Sequence, residues 1–320
     1  MTKADIVKNA IRRFHHLGAL TIAKHILNTH GDLFNNDQEV IRSRVRYYLG
    51  RHGDKNRQAA DPELFRDGEV EMPQTWRRVR KPYYLKPGLW LVLSDIHVPF
   101  HELLPIEAAI KTGQAEQVNG LFLNGDAQDC ASVSFWPAAK RDFNKEIEAF
   151  IDFLDCLKAE FNTVVYKPGN HEYRLPRYFV SKAPELAESP LAAMETVMGF
   201  DERGIEFLDY HQIVMAGKLP IIHGHEVSNI DRSVNPARGL FLRAKTYAAC
   251  SHCHTTSQHT ARDLNGNLIS TWSFGCLCDL SPDYRPYAND WNWGFALINI
   301  ESDGNFEVVN RRILPNGNVV

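Results

Sequence analysis

An α/β domain preceded by a small all-α unit is what this sequence predicts, and three observations predict it. From residue 89 onward, apolar runs of strand length alternate with amphipathic stretches in a β-α-β-α-β order, the mark of a layered α/β domain. Those runs hand over, one after another, to short polar loops bearing Asp, Asn or His. Residues 1–53, in contrast, carry only helical spacing. The expected organisation is a helical domain at 1–53, a basic and aromatic linker at 54–88, and an α/β domain at 89–320.

In the first unit, Ile6, Ala10, Ile11, Phe14 and Leu17 predict a helix over 5–17, and Ile22, Ala23, Ile26 and Leu27 a second over 20–27. A third begins at Asn36, a cap with Glu39 as its reciprocal partner, and runs to Gly50 or Gly53. Its apolar face is Ile41, Val45, Tyr48 and Leu49, and Arg42, Arg44, Arg46 and Arg51 decorate it. A basic last helix of three suggests a helix-turn-helix reader of DNA or RNA, with Arg42 and Arg46 as contacts. The connection from His30 to Asn35 is longer than that motif's turn, so a bundle with solvated arginines is the favoured reading. In the linker, Trp76, Arg77, Arg78, Arg80, Tyr83 and Tyr84 interleave aromatics with positive charge. That composition suits single-stranded nucleic acid, but a linker that pins its aromatics onto the next domain is the favoured reading.

In the α/β part, helices are expected at 106–117, 142–161 and 184–198, and strands at 89–93, 118–124 and 163–166. A β-rich remainder follows, with strands near 205–208, 212–215, 219–223, 245–250, 268–274, 293–300 and 306–310. Residues 276–293 read as a long loop with Asp279, Asp283, Tyr284, Arg285, Tyr287, Asp290 and Trp291; loops of this length are usually functional, but sequence alone does not place it.

The loop ligands come in a fixed order: Asp95 and His97, then Asp126 and Asp129, then Asn170, His171 and Glu172, then His223 and His225, then His252 and His254. Carboxylate, amide and imidazole donors suit Mn²⁺, Fe or Zn²⁺ better than thiolate-seeking metals, and there are enough of them for two ions. The ordered series D-x-H, G-D-x-x-D, G-N-H-E, H and x-H-x-H resembles the calcineurin-like metallophosphoesterase superfamily across roughly residues 89–310. In its catalytic part it is most similar to stand-alone members from bacteria and bacteriophages that carry a helical N-terminal region.

The resemblance implies a four-layer αββα sandwich and two divalent ions, Mn²⁺ first, with Fe, Zn²⁺ or Ni²⁺ as alternatives. It assigns one ion to Asp95, His97 and His254, the other to Asn170, His223 and His252, and Asp126 as bridge. It makes His171 the catalytic histidine and Asp129 the carboxylate that orients it. The implied reaction is hydrolysis of a phosphoric ester by metal-activated hydroxide. The His223-Gly-His225 form resembles that of DNA-repair nucleases, which points to a phosphodiester with His225 lining the site.

Two departures stand out. Ser251 occupies a place usually held by Gly, and Cys130 the place where protein phosphatases of the superfamily carry Arg. Arg174 or Arg177 is then the expected phosphate contact, unless Arg174 simply pairs with Glu172. The expected function is a phosphodiesterase or nuclease acting on nucleic acid or nucleotides. The alternatives are a phosphomonoesterase on small molecules or phosphoproteins, and a nucleic-acid-binding regulator with a vestigial site.

Residues 1–88 hold 17 Lys and Arg against 10 Asp and Glu, while the rest hold 19 against 29, an asymmetry that suggests an anionic partner for the N-terminal part. Six scattered cysteines do not form the framework of a small secreted domain. Cys250, Cys253, Cys276 and Cys278 could form a thiolate zinc site, but His252 and His254 already belong to the stronger pattern. With no apolar run of about 18 residues and no signal-like start, a cytoplasmic protein without membrane attachment is expected.

Overall fold

The computed structural model describes residues 1–50, 80–135, 142–230, 233–287 and 289–320. The chain divides into two compact units, Met1–Arg78 and Val79–Val320. In the first, helices α1 (Lys3–Phe14), α2 (Ala19–His30) and α3 (Gln38–Tyr48) pack around Val7, Ile11, Ile22, Ile26, Ile41 and Val45. Thr2 and Asp5 close a reciprocal capping box on α1. The cap of α3 is Asp37, not Asn36: Asp37 Oδ1 accepts from the backbone of Glu39 and Val40, while Asn36 sits at φ 53°, outside the helix. A 3₁₀ turn at Gly31–Phe34 fills the connection before it and buries Phe34.

The second unit contains two six-stranded sheets. One is built from β2 (Gly88–Leu93), β3 (Gly120–Asn124), β4 (Val164–Lys167) and β5 (Ile205–Phe207), all parallel, extended on the β2 side by antiparallel β11 (Gly294–Ile300) and β12 (Phe306–Arg312). The other runs in the order β1 (Tyr83–Tyr84), β6 (Val214–Ala216), β7 (Leu219–Ile221), β8 (Ala248–Cys250), β10 (Leu268–Ser273), β9 (Ser257–Arg262).

Alternation along each strand sorts side chains between two cores. Leu91, Leu93, Leu121, Leu123 and Val164 pack under helices α4 (Leu103–Ala115) and α5 (Phe143–Glu160), against Ile106, Phe150, Leu154 and Leu157. Trp90, Val92, Phe122 and Val165 face the other sheet, against Val214, Leu219, Ile221 and Ala249. That sheet covers its outer face with α8 (Pro236–Ala244) through Leu240, beside Ala248 and Cys250. Helix, sheet, sheet, helix is the four-layer order the motifs implied.

The stretch 184–198 is not one helix. Pro184 and Pro190 each start a separate 3₁₀ turn, and only α7 (Met194–Met198) is helical. Each Pro lacks a donor and disfavours helical backbone before it. Of the linker, Tyr83 and Tyr84 form β1 against β6, and the Tyr83 hydroxyl donates to Glu206 at 2.6 Å.

Candidate metal centre

The loops that follow β2, β3, β4, β7 and β8 all leave the carboxyl ends of parallel strands, where open α/β sheets gather their ligand sites. Backbone bonds lace the first two together: Asp95 N–H donates to Gly125 O, His97 N–H to Asp126 O, Val98 N–H to Ala127 O, and Asp129 N–H back to Val98 O. Asp95, His97, Asp126, His252 and His254 all hold φ between 50° and 68°, a left-handed conformation uncommon for such residues. Strain of this kind persists where surrounding structure enforces it, typically at functional sites. Close packing enforces it here: a Cβ on Gly169 would lie 2.3 Å from Asp126 Oδ1, and one on Gly125 2.4 Å from His223 Nδ1.

Three imidazoles turn the same way. His223 Nδ1 donates to Asn124 O at 2.7 Å, His97 Nδ1 donates to Asp129 Oδ2 at 3.0 Å, and His254 Nδ1 meets the Cys278 thiol at 3.8 Å. Each Nε2 is thereby left to face inward. His223 Nε2 lies 3.1 Å from Asp126 Oδ2, and His254 Nε2 lies 3.3 Å from both Asp95 Oδ1 and His97 Nε2. Asp126, His223 and His252 form one group whose ligand atoms lie within 4.8 Å of one another, and His97, Asp126 and His171 another. Asn170 stands between Gly169 and His171, both against Asp126, and its Oδ1 is buried without a hydrogen-bond partner, as are Asp95 Oδ1 and His223 Nε2. Buried polar atoms are normally paired, so this cluster of unpaired acceptors fits divalent cations.

The electrostatics agree. Burial pushes the Asp126 carboxyl up, but the neighbouring imidazoles, His223 above all, outweigh it and hold it well below the usual range. Burial pushes His223 down, yet Asp126 raises it to about 9. The carboxylates are drawing positive charge to this spot, which is what a cation would supply.

Asp129 has more partners than expected. Its Oδ2 accepts from both His97 and His171, at 3.0 and 3.2 Å, and its Oδ1 accepts from Arg174 Nη1 at 3.1 Å. Arg174 Nη2 lies 3.0 Å from His171 Nε2. Since arginine only donates, His171 carries its proton on Nδ1. Arg174 therefore pairs with Asp129, not Glu172. Glu172 is fully buried and serves the backbone instead, accepting from the amides of Asp126, Gln128 and Gly169 and from the Tyr166 hydroxyl.

His225 sits at the margin, its ring 5.5 Å from that of His223 and 6.4 Å from that of His252. Ser251 uses its hydroxyl to accept from Asn124 Nδ2 at 2.8 Å. Cys130 is buried, and burial raises its thiol well above the usual range. All six cysteines are free thiols. In the N-terminal unit, Arg42 pairs with Glu39 at 3.1 Å and Arg46 approaches the same carboxylate at 4.0 Å. Arg77 and Arg78 lie outside the described residues.

Beside this centre, Lys167 is fully buried and donates to Glu226 Oε1 at 2.7 Å. Burial pushes the Glu226 carboxyl up, but Lys167 outweighs it and lowers it from 4.5 to about 2. A depressed carboxylate contributes stability above its unfolded pKa and loses it as pH falls. Glu226→Gln should therefore cost about 2–3 kcal/mol at pH 7. In urea melts of metal-stripped protein, the gap to wild type should close between pH 4.5 and about 2; a constant gap would refute the pairing.

A layered sandwich whose strand ends gather buried carboxylates and inward-facing imidazoles defines a metal-dependent hydrolase of phosphoric esters. The model of the calcineurin-like phosphoesterase family matches residues 90–270, and the chain belongs to that dimetal-dependent family. Gene 54 protein of Mycobacterium phage L5 is 26% identical over 227 residues, covering 66% of this chain and 88% of that protein. Among solved structures, Vps29 from Entamoeba histolytica is similar at a TM-score of 0.39 and 15% identity, covering 72% of this chain and 96% of that one. A dimetal phosphatase from Danio rerio is similar at a TM-score of 0.35 and 11% identity, covering 71% and 96%. Among the described residues, no helix is long and apolar enough to cross a membrane.

Proposed function

We propose that this hydrolase cleaves phosphodiesters in nucleic acids or nucleotides, with two divalent ions held by the strand-end loops. The observation that carries the two-ion reading is the cluster of buried, unpaired acceptors at Asp95, Asn170 and His223 around Asp126. Asp95, His97 and His254 would hold one ion, Asn170, His223 and His252 the other, with Asp126 between. When bound, such ions lower the pKa of water and neutralise charge on the phosphoryl group. The diester preference rests on His225 beside His223 and His252, and on the absence of an arginine at Cys130.

His171 is the proposed acid toward the leaving oxygen. Its backbone N–H donates to Asp126 Oδ1 at 2.8 Å and its Nδ1 to Asp129 Oδ2, so the ring is fixed from two sides. Arg174 holds Nε2 until substrate arrives; a phosphoryl oxygen is the stronger acceptor and would draw the guanidinium away, freeing Nε2 to take up a proton from solvent and pass it to the leaving oxygen. Arg174→Lys cannot span Asp129 and His171 at once. It should raise KM and lower kcat/KM by about 10–100-fold, the worth of hydrogen bonds to charged groups. An unchanged kcat/KM would remove Arg174 from the reaction.

The test is a 5′-labelled single-stranded oligonucleotide incubated with Mn²⁺-loaded protein and resolved on a denaturing gel. Shortened labelled products support the reading. Release of labelled phosphate alone would make the protein a phosphomonoesterase, and an unchanged oligonucleotide would turn the search to small phosphoesters.

A further inference from the structure

A cavity of about 190 Å³ opens directly on the centre, its floor formed by Asp126, His171, His252 and His254. The loop 276–293 lines it through Tyr284, Arg285, Asp290 and Trp291, and Ser233, Val234 and Pro236 line it as well. We infer that this slot is a nucleobase subsite, which holds the base next to the scissile phosphate against Tyr284, Trp291, Val234 and Pro236. The inference rests on the phosphodiester reading and deepens it.

The loop wall is aromatic and held in place. Trp291 packs on the ligand-group imidazole of His254 with ring centroids 4.1 Å apart, and Tyr284 stands 6.3 Å from Trp291. The Arg285 guanidinium lies 5.6 Å from the Trp291 ring. Thr255 Oγ1 donates to Asp290 O at 3.0 Å, and Asn289 Nδ2 donates to Leu280 O and Arg285 O, so the loop is tied to itself and to the His254 segment. On this fixed frame Tyr284 remains 71% exposed, and Val234, which also lines the slot, is fully exposed. An exposed aromatic ring and an exposed aliphatic side chain in one cavity with Asp126 and His171 suit a flat guest whose phosphate reaches those polar groups. Aromatic and guanidinium planes stack on any base.

The slot's polar groups separate a base from a plain aryl ring. Asp290 supplies a carboxylate acceptor and Ser233 a hydroxyl; base edges offer N–H donors and acceptors to meet them, whereas the ring of a phosphotyrosine offers none.

The test is calorimetric and needs no turnover. The Mn²⁺-loaded full chain is titrated with guanosine 5′-monophosphate, thymidine 5′-monophosphate, 2-deoxyribose 5-phosphate and phenyl phosphate. Both nucleotides should bind at least about tenfold tighter than the sugar phosphate and the aryl phosphate. That advantage should fall to about twofold or less in Tyr284→Ala, and shrink for guanosine 5′-monophosphate in Asp290→Asn. Equal affinity for nucleotide and sugar phosphate, phenyl phosphate binding as tightly as nucleotide, or an advantage that survives Tyr284→Ala would each overturn the subsite. Base-dependent binding without any diester turnover would keep the subsite and sink the diesterase reading alone.

Discussion

Asp126→Asn should cut turnover by orders of magnitude and lower the stability of the metal-stripped protein. Asp126 Oδ1 accepts the His171 N–H at 2.8 Å, and its Oδ2 faces His223 Nε2 at 3.1 Å. An asparagine fits this geometry without moving: its carbonyl serves His171 and its amide donates to His223 Nε2. What it removes is a buried carboxylate that the fold holds ionised, and with it the attraction to His223 as well as a smaller repulsion with the buried carboxylate of Asp95. Metal-stripped variant should therefore melt below metal-stripped wild type at pH 7, and the gap should narrow as the pH falls.

Function should fall much further. The new amide occupies the lone pair of His223 Nε2 that is otherwise unpartnered, and the charge that would offset two neighbouring cations is gone. Turnover should drop on the order of 10²–10³-fold, and bound metal should fall below two ions per chain by elemental analysis. Saturating Mn²⁺ should raise the melting temperature of wild type but hardly that of the variant. A variant that keeps full metal content and activity would be incompatible with Asp126 as the bridge.

The ligand loops were readable because each repeats one arrangement, an apolar strand ending in a short polar loop, and five in order leave little to chance. The conformations that aim them were not. Nothing in the letters shows that Asp95, His97, Asp126, His252 and His254 are all left-handed, since glycine alone announces that backbone. The helix α6 (Arg174–Lys182) was missed because Pro176 reads as a breaker, although a proline in the first turn is tolerated. Strand β9 was missed because Ser257–Arg262 carries almost no apolar signal, as an edge strand need not. The loop 276–293 was legible as a loop of functional length, but only tertiary structure brings Tyr284 and Trp291 to the same cavity as Asp126. Glu172 was misjudged for a similar reason: Arg174 is near in sequence, whereas the amides of Asp126 and Gln128 lie far away in sequence and close in space.

Glu172→Gln should be the most damaging conservative change in the fold. Glu172 Oε2 accepts from the amides of Asp126 and Gly169 at 3.0 and 2.7 Å; Oε1 accepts from the Gln128 amide at 3.0 Å and the Tyr166 hydroxyl at 2.5 Å. Both oxygens thus face backbone donors, so a glutamine amide group points N–H at N–H in either orientation. Turned toward Gln128, it orphans one buried amide, and the Tyr166 hydroxyl can rotate to accept; turned the other way, it orphans two. The remaining bonds also lose their charge assistance. With about 1–3 kcal/mol for each stranded donor, the variant should lose about 3–5 kcal/mol in urea unfolding. Glutamine matches the size of glutamate, so no cavity term enters. The stranded amides belong to the residues that carry or flank Asp126 and Asn170, and the Mn²⁺-induced rise in melting temperature should shrink in parallel. A loss below about 1 kcal/mol would mean that these loops are held by their left-handed packing alone, with Glu172 only filling space between them.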